Sequence, residues 1–380
     1  MGVEARALVI VSATLLAFGL AVLYSASALL AVREGHTNSF YFLRQAGGAL
    51  MGLVLFAIAA KTDAERWRAW AWPLLWIGIV TLLIPVIPGI PVSIAPRIHG
   101  SRRWISMGFT FQPSEFAKLA AVTWTAMLVV KKGDALRGFT KGLLPFVVVL
   151  GVLSLLVILE PDLSMVLTFT LLMGVVLFTG GVRLGHVLLL GGLSIPLLWK
   201  LVEKVQYALL RMTSFLDPGN APTEASYQLK QSLIAVGSGG LFGVGFGNGR
   251  QQNGFLPFPY NDFIGSNIGE EWGFVGLLGV TLLFAAYGWL GYRIAKGART
   301  PFQQLLATGL VFTTVSTAFL HLGVVIGLLP TTGLTLPFVS YGRTNLIITI
   351  LMTGIVVNIG STRERVVLRP ATDPMEAARA

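Results

Sequence analysis

The sequence has no cysteine and few charged residues, and both shortages limit what the protein can be. With no cysteine among 380 residues, disulfides, thiolate catalysis and cysteine-ligated metals are excluded. Asp, Glu, Lys and Arg together make up 12% of the chain, about half of the ~25% usual in soluble domains. Such a composition excludes an ordinary soluble protein, and the high apolar content described next excludes a disordered one.

Long apolar runs take the place of the missing charge. Apolar residues make up 54% of the chain and the mean hydropathy is +0.75. A helix needs about 20 apolar residues to cross the ~30 Å hydrocarbon core of a membrane, and the runs here are unbroken rather than alternating. We therefore predict an all-α membrane protein, a polytopic bundle of about ten transmembrane helices with a large extracytoplasmic loop between helices seven and eight.

The predicted spans place both chain termini on one side of the membrane. They cover residues 7–29, 42–60, 69–88, 114–130, 142–159, 163–180, 184–203, 272–295, 304–328 and 343–360. Lys and Arg concentrate in the short loops on the side of the termini, which the positive-inside rule assigns to the cytoplasm. Residues 1–362 then form a single transmembrane domain with an outer loop at about 204–271, and residues 363–380 form a short cytoplasmic tail.

The net charge of +11 is spread between the apolar runs and is not gathered on one face. It is typical of cytoplasmic loops and of contact with anionic lipid, so no nucleic-acid partner is predicted. A glycine-rich stretch at 237–249 invites a phosphate-loop interpretation, but the Gly-Lys-Ser/Thr ending and a preceding strand are missing. Close packing of backbone at the membrane surface is the favoured interpretation.

Four groups of polar residues lie at the predicted outer ends of spans, where ionisable side chains are costly and mark functional sites. They are Arg102 and Arg103 with Glu115 and Lys118, then Glu160 with Asp162, then Asp262, and last the Pro/Gly-broken segment 329–342 with Ser340. Each also has a simpler explanation: a local ion pair, a solvated helix end, a helix cap and a tight turn. Together they supply carboxylates and cations on one face, which suits an anionic, lipid-linked substrate.

These segments, in this order, resemble the SEDS family of shape, elongation, division and sporulation proteins. The resemblance covers about 5–362 and leans towards the division members. The matching stretches are Gly100-Ser-Arg-Arg-Trp-Ile105, Phe111-Gln-Pro-Ser-Glu-Phe-Ala-Lys118, Glu160-Pro-Asp-Leu163, Tyr227-Gln-Leu-Lys-Gln-Ser-Leu-Ile-Ala235, Asn261-Asp-Phe-Ile264, Ile268-Gly-Glu-Glu271 and Gly327-Leu-Leu-Pro-Thr-Thr-Gly-Leu-Thr-Leu-Pro-Phe-Val-Ser-Tyr-Gly342.

The resemblance implies a peptidoglycan glycosyltransferase that polymerises lipid II into glycan strands at the outer face of the bacterial cytoplasmic membrane, in cell division or cell-shape maintenance. It implies Asp262 as the catalytic residue and lipid II and the undecaprenyl-pyrophosphate-linked glycan as ligands. It also implies a class B penicillin-binding protein as the transpeptidase partner, beside other division or elongation proteins. The substrate-binding residues that it implies are Arg102, Arg103, Glu115, Lys118, Glu160 and Asp162. Ser340 and Arg343, in and just after the Pro/Gly-broken segment, are added as predicted substrate-binding residues.

No cofactor is certain from the sequence. A divalent cation, Mg²⁺ or Mn²⁺, at Asp262, Asp162 or Glu115 is compatible with carboxylate ligands. Two other functions stay open: a lipid II flippase, which would need polar access from both faces, and a non-catalytic division scaffold.

Three departures from the family pattern bear on the choice between these functions. Tyr260-Asn261 precedes the catalytic Asp where His-Thr is usual, and His321 replaces a usual Asn. Arg343-Thr-Asn345 replaces a Gly-Ser-Ser ending. The last of these favours the scaffold, whereas the retained Asp262 argues against it.

Overall fold

The computed structural model describes residues 2–98, 101–106, 108–183, 185–186, 211–212, 215–216 and 224–367, and most of these are helical. Ten α-helices and one small hairpin are described. The helices are α1 Val3–Arg33, α2 Phe40–Lys61, α3 Glu65–Val86, α4 Pro113–Lys132, α5 Leu144–Leu159, α6 Leu163–Thr179, α7 Glu224–Gly239, α8 Ile264–Lys296, α9 Pro301–Val325 and α10 Arg343–Val367. Strands β1 Ile105–Ser106 and β2 Thr110–Phe111 form the hairpin before α4.

Seven helical segments of the described residues are long and apolar enough to cross a membrane. The predicted class, an all-α polytopic membrane protein, is confirmed. The first six predicted spans coincide with α1 to α6, and the last two coincide with α9 and α10. The seventh, at 184–203, lies almost entirely outside the described residues.

Helix α10 forms the centre of the bundle: 94% of the residues in its apolar 18-residue stretch are buried inside the protein. In α9 the buried share is 67%. In the corresponding stretches of α1, α2, α3 and α8, only 28–33% of the residues are buried. These outer helices therefore turn most of their apolar surface outwards, as expected for helices that face lipid. Helix α4 is buried on nearly all sides, which lets it carry polar side chains inside the bundle.

Helix α8 begins at Ile264 and contains the predicted span 272–295. Glu270 and Glu271, which precede that span, belong to the same helix. Both side chains are buried and bind the preceding loop. Glu270 Oε1 accepts the backbone N–H of Arg250 at 2.8 Å, and Glu271 Oε1 accepts a hydrogen bond from Gln252 Nε2 at 2.9 Å.

The glycine-rich stretch packs backbone against backbone, as predicted. Helix α8 is interrupted at Gly273, whose φ of +64° favours glycine. The loop after α7 fills the interruption: Val244 N–H donates to Glu270 O at 2.9 Å, and Phe274 N–H donates to Gly240 O at 2.8 Å. A Cβ atom on Gly243 would lie 2.1 Å from Glu271 O, so no larger residue fits there.

Helix α7 and the β1–β2 hairpin were not predicted as regular structure. Helix α7 lies within the predicted outer loop and buries Ser226, Leu229, Ser232 and Ala235. This three-residue spacing is a helical signal that was available in the sequence. The hairpin pairs Ile105 with Phe111, and two-residue strands are too short for any periodic pattern to show.

Candidate active site

Asp262 lies in the short loop that leads into α8, and the segment before α10 holds this loop in place. The hydroxyl of Ser340 donates to Asn261 O at 2.8 Å and accepts the N–H of Leu336 at 2.8 Å. Tyr341 N–H donates to Tyr260 O at 2.9 Å. Ser340 is only 4% exposed, so its hydroxyl fixes the backbone next to Asp262 and does not face open space.

The carboxylate of Asp262 shares its surroundings with a guanidinium that the sequence analysis missed. A Cβ atom placed on Gly333 would lie 3.6 Å from Oδ2 of Asp262 and 3.7 Å from Nη2 of Arg211. Burial lowers the pKa of Arg211 to about 10, and the negative charge of Asp262 opposes this lowering. Arg211 therefore stays charged at neutral pH. The signal that could have found it is an arginine whose immediate neighbours, Leu209, Leu210 and Met212, are apolar.

The turn between α5 and α6 brings further charge to the same end of the bundle. Arg103 Nη1 lies 3.5 Å from Asp162 Oδ2, and Arg103 Nε donates to Glu160 O at 2.9 Å. Both Arg103 and Asp162 act electrostatically on Arg211. Ser164, in the first turn of α6, donates to Thr332 O, and Thr332 adjoins Gly333. The structure thus gathers Asp262, Arg211, Arg103 and Asp162 around the 331–334 segment.

Several buried polar atoms around this cluster make no hydrogen bond to the described residues. They are Oδ1 of Asn261, Oγ1 of Thr331 and Thr332, and both carboxyl oxygens of Glu160. Buried polar groups are normally paired, so their concentration here is typical of a site that a polar ligand or water completes.

Glu160 is buried in the turn after α5, and its environment favours the neutral acid. Burial, with the nearby charge of Asp162, raises the pKa of Glu160 to about 9, while Arg103 opposes the shift. The carboxyl group is therefore protonated at pH 7. It cannot act as an anionic metal ligand or as a charged partner of Arg103 in that state.

Glu160→Gln should preserve, at pH 7, the glycan synthesis that the family resemblance implies, because glutamine resembles the protonated acid. The pH dependence of stability should differ between the two proteins. The pKa of Glu160 is about 9 in the folded protein, whereas its ordinary value, which applies to the unfolded chain, is 4.5. The free energy of unfolding of the wild type therefore falls as pH rises between these two values and levels off above about pH 9. Melting temperatures of both proteins from pH 5 to pH 10 measure this slope. Equal slopes would contradict the buried neutral acid.

Glu115 and Lys118 form a buried ion pair between α4 and α10. Lys118 Nζ lies 2.7 Å from Glu115 Oε2, and the two side chains are 3% and 4% exposed. Asn345 Nδ2 donates to Glu115 Oε2 at 3.0 Å, so a residue that departs from the family pattern supports the pair. This is the local ion pair that the three-residue spacing allowed, and the structure places it inside the helix packing.

His321 joins the two segments that flank Asp262. The N–H of Gly265 donates to Nε2 of His321 at 3.3 Å, and Nδ1 lies 2.7 Å from Leu334 O. Because Nε2 accepts, the ring proton is on Nδ1 and is donated to the carbonyl. The imidazole thereby ties the first turn of α8 to the segment after Gly333.

His321→Asn should keep most of the glycan synthesis that the family resemblance implies, because an asparagine amide also offers a donor and an acceptor. His321→Leu should lower both stability and turnover, because it leaves a buried N–H and a buried carbonyl unpaired at about 1–3 kcal/mol each. Melting temperature and glycan yield of the two variants measure this. If leucine and asparagine behave alike, His321 does not position the site through these hydrogen bonds.

Arg343 and Arg102 lie apart from the Asp262 cluster. The guanidinium of Arg343 stands 5.6 Å from the Phe109 ring centre, and Nη2 donates to Thr110 Oγ1 at 3.4 Å. Its aliphatic part covers Gly48 of α2. Arg343 therefore packs on the hairpin. Arg102 lines a separate cavity with Arg97.

The described residues do not assemble a metal site. No group of three or more Asp, Glu or His side chains converges among them. Of the three carboxylates predicted as candidates, Glu115 is paired with Lys118, Asp162 with Arg103, and Asp262 lies beside Arg211. We derive no step through a divalent cation.

The fold and site define a polytopic membrane protein with a cluster of acidic and basic groups at one end of its helix bundle. The chain belongs to the cell cycle protein family of FtsW, RodA and SpoVE, whose family model matches residues 5–365. The family resemblance predicted from the motifs is confirmed.

Relatives of known name match nearly the whole chain. The probable peptidoglycan glycosyltransferase FtsW of Geobacter sulfurreducens is 38% identical over 358 residues, 94% of each protein. Stage V sporulation protein E of Bacillus subtilis is 36% identical and covers 93% of this chain and 95% of its own length.

Solved structures share the fold. A chain from a peptidoglycan synthase complex that coordinates polymerization and crosslinking matches with a TM-score of 0.78 at 25% identity, covering 94% of this chain and 97% of that one. The rod shape determining protein RodA of Thermus thermophilus matches with a TM-score of 0.66 at 25% identity, covering 94% and 96%.

Proposed function

We propose that this protein is a peptidoglycan glycosyltransferase that polymerises lipid II at the outer face of the bacterial cytoplasmic membrane. The observation that carries the proposal is the placement of the Asp262 carboxylate beside the Arg211 guanidinium, with Arg103 near enough to act on Arg211. Glycosyl transfer to a hydroxyl needs a base for the hydroxyl proton and positive charge for the leaving pyrophosphate. Family membership and the names of the relatives support the same activity.

Asp262 acts as the general base in this proposal. Its carboxylate takes the proton from the 4-hydroxyl of the acceptor lipid II while that oxygen bonds to the anomeric carbon of the donor glycan. The bond between this carbon and the donor pyrophosphate breaks, and the electron pair leaves with the pyrophosphate. A single displacement of this kind inverts the anomeric carbon.

Arg211 and Arg103 are the cations that stabilise the leaving pyrophosphate. A guanidinium can donate two parallel hydrogen bonds to phosphate oxygens, and Arg211 reaches the same point above Gly333 as Asp262. Arg103 is oriented by Asp162 and by the carbonyl of Glu160. Lys118 has its charge compensated by Glu115 inside the bundle, so we assign this pair to holding α4 against α10.

The proposal also includes a transpeptidase partner and an orientation of the chain in the membrane. A class B penicillin-binding protein would crosslink the strand that this chain makes, as the structural match to a complex of polymerization and crosslinking suggests. The Lys- and Arg-rich short loops support an orientation with both termini in the cytoplasm. Asp262, the turn at 160–162 and the hairpin then lie at the outer surface.

Purified wild-type protein, with and without its cognate transpeptidase, should convert lipid II into a ladder of glycan strands. A transport assay on the same preparation, in vesicles with lipid II in one leaflet, addresses the flippase alternative. Translocation without glycan would contradict the proposal in favour of a flippase. Neither product, from a folded protein that still binds its transpeptidase, would favour the scaffold.

A further inference from the structure

A polar cavity lies beside the turn at 160–162, between the ends of α3 and α5. Its volume is about 230 Å³, which is below the ~300–1,000 Å³ of pockets that enclose drug-sized ligands and is suited to a smaller polar group. One wall is the end of α3, at 85–88, and the opposite wall is Leu159 with Pro161. Arg97, Ser101 and Arg102 complete the lining.

The loop geometry forces two arginines to share this cavity. Ile98 and Ser101 form an antiparallel bridge, with Ile98 N–H donating to Ser101 O at 3.0 Å and Ser101 N–H donating to Ile98 O at 3.1 Å. Arg97 and Arg102 are the residues that flank this bridge, and both line the cavity. Like charges that are close together repel each other.

No carboxylate compensates these two charges within the part of the chain that the structure describes. Of its salt bridges, none involves Arg97 or Arg102. The Nε atom of Arg102 is buried and has no hydrogen-bond partner among those residues. The neighbouring Arg103, in contrast, binds Asp162 and the turn at 160–161, so the two consecutive arginines serve different sites.

The surroundings of the cavity are apolar on the membrane side. Leu83 on α3 and Ile87, which follows the end of α3, are 44% and 40% exposed, and Leu155 and Leu159 on α5 are 58% and 56% exposed. Leu155 and Leu159 are four residues apart and so lie on one face of α5. A molecule with a phosphate in the cavity could therefore lay its hydrocarbon chain along the groove between α3 and α5.

We propose that the Arg97–Arg102 cavity binds the phosphate headgroup of a membrane lipid whose chains lie between α3 and α5. Guanidinium groups bind phosphate oxygens through paired, charge-assisted hydrogen bonds, and an anion between the two arginines removes their repulsion. Two lipids carry this chemistry: an anionic phospholipid and a polyprenyl pyrophosphate. Binding of a phospholipid here does not rest on the proposed function, whereas binding of a polyprenyl pyrophosphate would connect the cavity with the substrate-binding role that the family resemblance implies for Arg102.

The test measures lipid binding by native mass spectrometry of the purified full-length protein. The probes are phosphatidylglycerol, a polyprenyl pyrophosphate, and diacylglycerol as the phosphate-free control. Arg102→Gln should weaken the binding of at least one phosphate lipid about tenfold, and adding Arg97→Gln should reduce that binding to the level of diacylglycerol. Arg250→Gln, which removes an exposed charge outside the cavity, should leave binding unchanged.

The two phosphate probes identify the occupant. If the variants lose only phosphatidylglycerol binding, the occupant is a phospholipid. If they lose only polyprenyl pyrophosphate binding, the occupant is the polyprenyl carrier. Loss of both shows that the cavity recognises the phosphate that the two lipids share. The proposal is overturned if the double variant binds both lipids as wild type does, or if Arg250→Gln weakens binding equally. If Arg102→Gln does not fold, Arg102→Lys decides the matter, since it keeps the charge but not the paired geometry and should weaken binding less than tenfold but measurably.

Discussion

Asp262→Asn is expected to lower lipid II polymerisation by at least ~100-fold, because the amide cannot accept the proton of the acceptor hydroxyl. The protein should stay folded. Asparagine is nearly isosteric with aspartate and caps helices about equally well, and backbone hydrogen bonds and the Ser340 hydroxyl hold the loop around Asp262. Glycan yield per mole of folded protein measures the effect.

Asp63→Asn is the matched control for this variant. Asp63 lies at the opposite end of the bundle, where its Oδ1 accepts the N–H of Glu65 at 3.0 Å. The same chemical change there should leave polymerisation intact. Glycan synthesis by Asp262→Asn at the rate of wild type, or an equal loss in both variants, would remove Asp262 from the reaction.

Arg211→Gln is expected to reduce turnover by about 100-fold to 1,000-fold, which is the usual effect of removing one preorganised group that stabilises developing charge. Arg211 is the cation that the structure places beside Asp262. Arg211→Lys keeps the charge but loses the planar fork of donors, so it should recover part of the rate. Single-turnover glycan synthesis at saturating lipid II separates this loss from weaker binding.

Arg250→Gln serves as the control for charge in this experiment too, because it removes one positive charge from an exposed side chain. A comparable loss of turnover in Arg250→Gln would indicate a general electrostatic effect. If Arg211→Gln keeps full activity, Arg211 does not stabilise the leaving pyrophosphate, and the proposed arrangement is contradicted.

The sequence was sufficient for most membrane helices because each needs a long apolar run, and such runs are visible without tertiary information. It did not show that α8 begins before the predicted span, because Glu270 and Glu271 resemble a solvated end until their hydrogen bonds to the 250–252 loop are known. The hairpin at 105–111 is too short to leave a periodic signal.

The candidate site was predicted in part. The motifs identified Asp262, Arg103, Glu160 and Asp162, which the structure brings to one end of the bundle. They could not separate Arg102 from Arg103, because the direction of two consecutive side chains depends on the loop that carries them. They also gave no role to Arg211, since its closeness to Gly333 is a tertiary contact that no local pattern predicts.

The central claim, polymerisation of lipid II at the end of the bundle that carries Asp262, is tested most directly by the sidedness of the reaction. Purified protein is reconstituted in vesicles in one orientation, established by the accessibility of an N-terminal tag, with lipid II confined to one leaflet. The account predicts glycan strands when lipid II lies in the leaflet opposite the termini, and none when it lies in the leaflet of the termini. Equal product from both leaflets, or product from the leaflet of the termini alone, would contradict it.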